Sequence, residues 1–234
     1  MFSKRLVSTA VVLASVCGLA SAQNDAVAKG NGATVVGKNA VMTVVAEPPA
    51  SFTRTNRHES GLVTIFSNLA SQYPNGEYWC CTGYNIMGPS SGAGEQWIGA
   101  AFTPSANHTV TKITVAVGFS QGTTNGAVLS LRSDNNGVPG VALKSWTLSN
   151  LPFFGTCCTL MAKSTTSGIS VSGGKQYWVV VKTNSSQLDT VDGWNVDDTD
   201  QVNPATLAVF PGNNNHWNAF QATPGVAFAV EGSN

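Results

Sequence analysis

The chain has 234 residues, with twelve Lys and Arg balanced by twelve Asp and Glu, and charged residues make up only 10% of it. An ordinary soluble domain carries roughly 25% charged residues. The deficit is filled by Gly, Ser, Thr and Asn, which excludes a coiled coil, a charge-rich disordered protein and a basic nucleic-acid binder. Hydrophobic residues at 42% still leave material for a sizeable core.

Lys4 and Arg5 open the chain with positive charge, Leu6 to Leu19 is apolar, and Ala20-Ser21-Ala22 has the small-x-small pattern of a cleavage site. That order of regions reads as a signal peptide over residues 1–22. The apolar run falls short of the about 20 residues that a bilayer span needs. Cleavage after Ala22 leaves ten cations against twelve carboxylates. No later segment reads as a membrane span, and the C-terminal Val230-Glu231-Gly232-Ser233-Asn234 carries no apolar anchor. The expected location is secreted, either extracellular or periplasmic.

Residues 23–60 read as a flexible N-terminal linker, with Ala33–Val36 and Val41–Val45 as weak strand signals and a break at Pro48-Pro49. An additional edge strand is the alternative. From Gly61 onward the pattern is all-β. Leu62–Phe66 and Gln96–Phe102 read as strands. Thr109–Phe119 alternates Ile113, Val115, Val117 and Phe119 against Lys112, Thr114, Ala116 and Gly118. Ala127, Leu129 and Leu131 repeat the alternation, and Asp134-Asn135-Asn136-Gly137-Val138-Pro139-Gly140 is dense in turn residues. Val141–Leu148 follows, with a phase slip near Ser145 that predicts a bulge. Gln176–Thr183 and Val226–Val230 complete the set. No window of the mature chain has a helical period. The expected fold over residues 61–234 is a jelly-roll-like β-sandwich of about 8–10 antiparallel strands.

Outside the signal segment the cysteines form two doublets, Cys80-Cys81 and Cys157-Cys158. An exported chain keeps disulfides, and four cysteines allow three connectivities. A vicinal bridge is strained, because consecutive Cα atoms lie about 3.8 Å apart, below the roughly 4.4–6.8 Å of ordinary disulfides. Bridges between the doublets close a long loop worth about 4 kcal/mol. They require at least one doublet to sit in a turn or bulge, because neighbours on a strand point to opposite faces. The reading favours bridges between the doublets, with two vicinal bridges as the alternative. Adjacent thiolates chelate zinc poorly, and there is no C-x-x-C for redox work.

Candidate chemistry is sparse. Asp189, Asp192, Asp197, Asp198 and Asp200 form an acidic segment whose hard oxygens suit calcium; the alternative is a solvated loop. Trp194 and Trp217, with Asn195 and His216, sit in stretches rich in Asn and Asp that read as loops. Exposed indole faces there would stack on sugar rings. No G-x-S-x-G elbow is present, and Glu77, Glu95 and the three histidines show no spacing that specifies a hydrolase.

The pieces Thr64-Ile65-Phe66-Ser67-Asn68-Leu69, Cys80-Cys81-Thr82-Gly83, Ile113-Thr114-Val115-Ala116-Val117-Gly118, Gly137-Val138-Pro139-Gly140, Phe154-Gly155-Thr156-Cys157-Cys158-Thr159, Gly174-Lys175-Gln176-Tyr177-Trp178 and Gly193-Trp194-Asn195 resemble the choice-of-anchor R domain of exported bacterial proteins. The resemblance spans about Thr64 to Val230. It implies a secreted or surface-displayed β domain, and it brings no catalytic residues with it. Such domains are often followed by a C-terminal anchor; its lack here favours release.

The expected function is therefore a non-enzymatic, disulfide-stapled extracellular β-sandwich with a matrix, surface or adhesion role. A carbohydrate-binding module, assisted or not by calcium, is the first alternative, and a secreted hydrolase the second. The expected partner is an extracellular glycan or matrix component, with no nucleic acid.

Overall fold

The computed structural model describes the backbone of residues 26–29, 32–36 and 41–45, and residues 61–69, 78–156, 160–184, 186–197, 205–212, 216–222 and 225–234, apart from the side chains of residues 80, 81 and 205. The predicted signal peptide lies outside these residues. Among them there is no helix, and none therefore is long and apolar enough to cross a membrane. The chain is an all-β, sandwich-like fold.

In chain order the strands are β1 (Ala26–Lys29), β2 (Gly32–Val36), β3 (Val41–Val45), β4 (Val63–Ser67), β5 (Trp79–Met87), β6 (Gln96–Phe102), β7 (His108–Val115) and β8 (Val117–Gln121). They continue as β9 (Gly126–Asp134), β10 (Pro139–Ser149), β11 (Met161–Val171), β12 (Tyr177–Lys182), β13 (Val191–Val196), β14 (Ala205–Pro211), β15 (Asn218–Ala222) and β16 (Phe228–Ser233). A four-stranded sheet runs β11-β7-β16-β4. A twelve-stranded sheet runs β1-β2-β3-β5-β6-β12-β9-β10, with β13 bridging β5 and β8, and β14 bridging β6 and β15. All of these strand pairings are antiparallel.

The expected strands are all present, but the total exceeds the predicted 8–10. Within the segment read as a linker, β1, β2 and β3 form a meander, and β3 pairs with β5 through Met42↔Tyr84, Thr43↔Gly83 and Val44↔Thr82. That portion is an extension of the sheet, as the Val/Thr-rich composition of β2 and β3 permits. The phase slip expected near Ser145 falls slightly earlier, with register shifts between Pro139 and Lys144 on the β10 edge. The bulges bend this edge strand away from ideal pairing geometry, which protects it from pairing with another chain.

The core fills the space between the sheets. Ile98, Ala100 and Phe102 of β6, Leu129 and Leu131 of β9, and Val179 and Val181 of β12 meet Ile113 and Val115 of β7 and Phe228 and Val230 of β16. The period-2 alternation read from the sequence places these residues on one side of each strand. The stack of Phe66 on Phe228, 4.7 Å between centroids, ties the edge strand β4 to this core.

The long strand predicted over Thr109–Phe119 is two strands joined at Ala116. β7 belongs to the smaller sheet and β8 to the larger. At the crossing, the Ala116 carbonyl accepts from both the backbone N–H and the side-chain Nδ2 of Asn195, each at 2.9 Å. The Ala116 N–H donates to Ala227, and Ala227 donates in turn to the Asn195 carbonyl. With both sheets meeting here, Ala116 is fully buried, and its small side chain fits the junction.

Candidate functional site

The larger sheet has a second apolar face, turned away from the main core. Trp178 and Val180 of β12 and Ala208 of β14 are fully buried there, with Trp217 packed against them. The alternation of β12 explains this, because its odd residues serve the main core and its even residues the outer face. Loop residues cover part of the outer cluster. The Trp178 indole donates to Asp134 Oδ1 at 2.7 Å, and Asp134 also accepts from Gln176 Nε2 at 2.8 Å and the Gly137 N–H at 3.0 Å. Burial alone would raise the Asp134 pKa; the three hydrogen bonds outweigh it and hold the carboxyl below its usual value.

Beside this cluster, three neighbouring strands present a ladder of outward side chains. Phe210 of β14 pairs in register with Trp97 of β6, and their rings stack at 4.3 Å and 15°. From the strand on the other side, β12, Lys182 lays its ammonium 4.4 Å from the centre of the Trp97 ring. Trp217 closes over the ladder, 5.5 Å and edge-on to Phe210 and 6.2 Å from Trp97. The Trp97 indole donates to Glu95 Oε1 at 3.0 Å, so a carboxylate marks one end of the ladder. Arg132 of β9 lies away from the ladder, opposite Trp178 and four residues along from the partner of Lys182, with its Nε on Ser130 Oγ at 3.2 Å and its Nη1 on the Gly140 carbonyl at 3.1 Å. Trp97 and Trp217 are partly exposed, and His216 next to Trp217 is exposed.

This placement corrects part of the sequence reading. Trp194 lies on β13, not in a loop. It is completely buried, edge-on to Phe228 at 6.1 Å, with its indole N–H on the Ala227 carbonyl at 2.9 Å. Its ring faces cannot reach a surface ligand. Asn195 is buried as well and is used at the Ala116 crossing. Of the four residues predicted for a glycan site, only His216 and Trp217 lie at the surface. Trp97, Phe210 and Lys182 were missed because each sits within an ordinary strand pattern. The signal that could have found them is parity: Trp97 and Lys182 occupy the side of their strands opposite the main-core residues Ile98 and Val181.

The acidic segment is likewise divided. Asp189 is at the surface, accepting from Thr123 Oγ1 at 2.9 Å and from the Thr123 N–H at 3.1 Å, and these bonds lower its pKa. Asp192 is completely buried on β13, and neither of its carboxylate oxygens has a hydrogen-bond partner. Burial pushes its pKa up to about 8. Asp197 is buried and accepts from Asn68 Nδ2 at 2.9 Å. Asp198 and Asp200 lie outside the described residues. Among the described residues, no group of three or more His, Cys, Asp or Glu side chains is arranged to hold a metal ion.

A cleft of about 480 Å3, lined by Ser133, Asp134, Leu143, Ser170, Lys175 and Tyr177 among others, opens between the ends of β9, β10 and β11 and the turn before β12. Asp134 is the carboxylate in its wall, and its oxygens are already engaged by Trp178, Gln176 and Gly137.

The segments next to the cysteine doublets are held close together. Gly193 of β13 pairs with Gly118 of β8, and Gly83 of β5 lies diagonally across, opposite Asn195, so that the three leave a trough without side chains. Phe154 lies in it: a Cβ on Gly193 would stand 2.3 Å from the Phe154 ring, and one on Gly83 2.8 Å from it. The Phe154 N–H donates to the Phe119 carbonyl at 2.8 Å, and Tyr78 Oη reaches the Thr156 carbonyl at 3.5 Å. These contacts bring the stretch just before Cys157 against the start of β5, which carries Cys80 and Cys81. The side chains of Cys80 and Cys81, and both residues Cys157 and Cys158, lie outside what the structure describes.

Comparison with family models, with curated proteins and with solved structures gave no match.

Proposed function

We propose that this chain is an exported, non-catalytic β-sandwich that acts outside the cytoplasm as a matrix- or surface-associated binding module, with the outer-face aromatic ladder as its carbohydrate contact. The observation that carries this reading is the cluster of the partly exposed Trp97 and Trp217 around the buried Phe210, on the outside of a sheet whose other face already fills the main core. Aromatic side chains grouped at a surface with polar groups at the rim suit a ligand that is apolar on one face and hydroxylated at its edge, as a sugar ring is. The sequence resemblance to the choice-of-anchor R domain agrees with a secreted role.

The purified mature protein is expected to bind at least one polysaccharide on a glycan array. Trp217→Ala is expected to weaken that binding by about tenfold, the loss of roughly one aromatic contact. His216→Ala, which leaves the ladder intact, keeps the comparison meaningful if Trp217→Ala is poorly folded. Absence of binding to every glycan would overturn the reading.

Export also implies oxidised cysteines. The docking of Phe154 in the glycine trough and the Tyr78–Thr156 contact support bridges between the two doublets. Non-reducing peptide mapping is expected to recover a Cys80/Cys81 peptide cross-linked to a Cys157/Cys158 peptide. Vicinal bridges or free thiols would contradict this pairing.

A further inference from the structure

Asp192 is an acid that the outer-face site does not use. It is completely buried, and neither of its oxygens has a hydrogen-bond partner. A carboxylate in that state is far more costly than a neutral carboxyl, so the fold holds Asp192 with its proton on. The elements packed against it supply no counter-charge. β5 sets Ile86 opposite it and Tyr84 two residues along, and β8 sets Phe119 opposite it and Val117 two residues along. Tyr84 is the one titratable side chain among the described residues of β5, β8 and residues 150–156. Burial, with a smaller push from Asp197, raises its pKa to about 12, so it too is neutral.

The two strands beside Asp192 are held unequally. β5 pairs with β13 in unbroken register from Val191 to Asn195, and β3 and β6 cover its other edge. The register of β8 breaks at this point. Val191 pairs with Gln121 and Asp192 with Phe119, which leaves Ser120 as an extra residue. On its far edge β8 meets only the segment that follows Leu151. Leu151 is fixed by two hydrogen bonds with Asn125, at 2.7 and 2.9 Å. Beyond it, the Pro152 carbonyl accepts from the Phe119 N–H at 2.7 Å, and the Phe154 N–H donates to the Phe119 carbonyl at 2.8 Å. Both backbone groups of the residue facing Asp192 therefore hold this segment, and a displaced Phe119 takes it along.

We infer that residues 152–156 are a strap latched through Phe119 over the neutral Asp192, and that ionisation of Asp192 lifts β8 and the strap from β13 while the rest of the sandwich stays folded. Opening admits water to the carboxylate and draws Phe154 out of the glycine trough. The device rests on the fold alone and is independent of the carbohydrate reading. With the strap closed, burial keeps the proton on Asp192 up to about pH 8; with it open, the carboxyl titrates near the ordinary 3.8. The open form therefore gains on the closed one by about tenfold for each pH unit between these values, and gains no further above them.

The test is amide hydrogen exchange of the full mature protein, followed by NMR between pH 5 and 9, each rate being divided by that of an unstructured amide at the same pH. The Phe119 and Phe154 amides are expected to exchange at least about tenfold faster than the amides of β6 and β12 at every pH, because they open without global unfolding. Their corrected rates are expected to rise about tenfold per pH unit and to level off near pH 8. Asp192→Asn is expected to remove that rise. If the variant folds poorly, the two comparisons within the parent protein decide the matter. Exchange of Phe119 and Phe154 at the rate of β6 and β12 would mean that no separate strap opens. A flat corrected profile in the parent, or an undiminished rise in Asp192→Asn, would show that Asp192 is not the latch.

Discussion

Gly193→Val is expected to destabilise the fold by about 3 kcal/mol, at the upper end of ordinary overpacking costs. The cause is local and specific. Even the first added carbon would stand 2.3 Å from the Phe154 ring, so either Phe154 leaves the trough or β13 separates from β5 and β8. Phe154→Ala, made alone, is expected to cost stability as well, because it empties the trough. The double variant is the informative one. With the ring gone, the valine has room, so the two losses should fall well short of adding. Urea denaturation of the four proteins, all handled under the same redox conditions, measures the coupling. Additive losses would mean that Phe154 does not occupy the trough in solution. Gly92→Ala, at a position where an added Cβ meets nothing and only the positive φ of 91° resists, calibrates the cost of replacing a glycine by itself.

The second large effect is the pH dependence contributed by Asp192. Its carboxyl shares its side of β13 with Trp194 and faces apolar neighbours, since Asp192 pairs with Ile86 on one side and Phe119 on the other. In the folded chain it keeps its proton up to about pH 8, whereas the unfolded chain releases it near 3.8. The folded state therefore binds the extra proton between these values. The associated stability is complete below pH 3.8, declines as pH rises and is gone above 8. A shift of this size corresponds to a change on the order of 5 kcal/mol across the window. Asp192→Asn is expected to flatten this part of the profile, with little change at pH 4 and a clear gain at pH 8. Equilibrium unfolding measured at several pH values checks it. A variant whose profile keeps the slope of the parent would show that the carboxyl is solvated or paired. Asp134 acts in the opposite sense, since its hydrogen bonds favour the ionised form and are lost as pH falls through the acid range.

What could be read in advance follows from the physics of burial. Strands whose apolar residues recur at every second position announce themselves by alternation, and β7, β9 and β10 were legible for that reason, while β6 and β12, dry on both faces over most of their length, were legible as short apolar runs. β13 was not. Its sequence, Val191-Asp192-Gly193-Trp194-Asn195-Val196, has the composition of a loop, yet all six residues are buried. Gly193 is there to admit Phe154, Asn195 to grip Ala116, and Asp192 as an acid kept neutral by its surroundings. None of these reasons can be seen without the partner segment. β11 was missed for the opposite reason. It is an edge strand whose polar residues Lys163 to Thr166 alternate between partial and full exposure, so its apolar signal shrinks to Met161, Ile169 and Val171. The candidate site was half legible. Trp217 and His216 were found, because Asn-rich surroundings mark a surface. The ladder they join requires knowing that β14, β6 and β12 lie side by side, a long-range pairing that local periodicity does not encode.

The crossing at Ala116 has a mechanical consequence. One continuous run of backbone belongs first to the smaller sheet and then to the larger, and Asn195 clamps the point of transfer with two hydrogen bonds to one carbonyl. A sandwich joined only by side-chain packing can slip, one layer gliding over the other. Here such gliding would have to tear a main-chain hinge out of both layers at once. The two layers are thereby locked against shear.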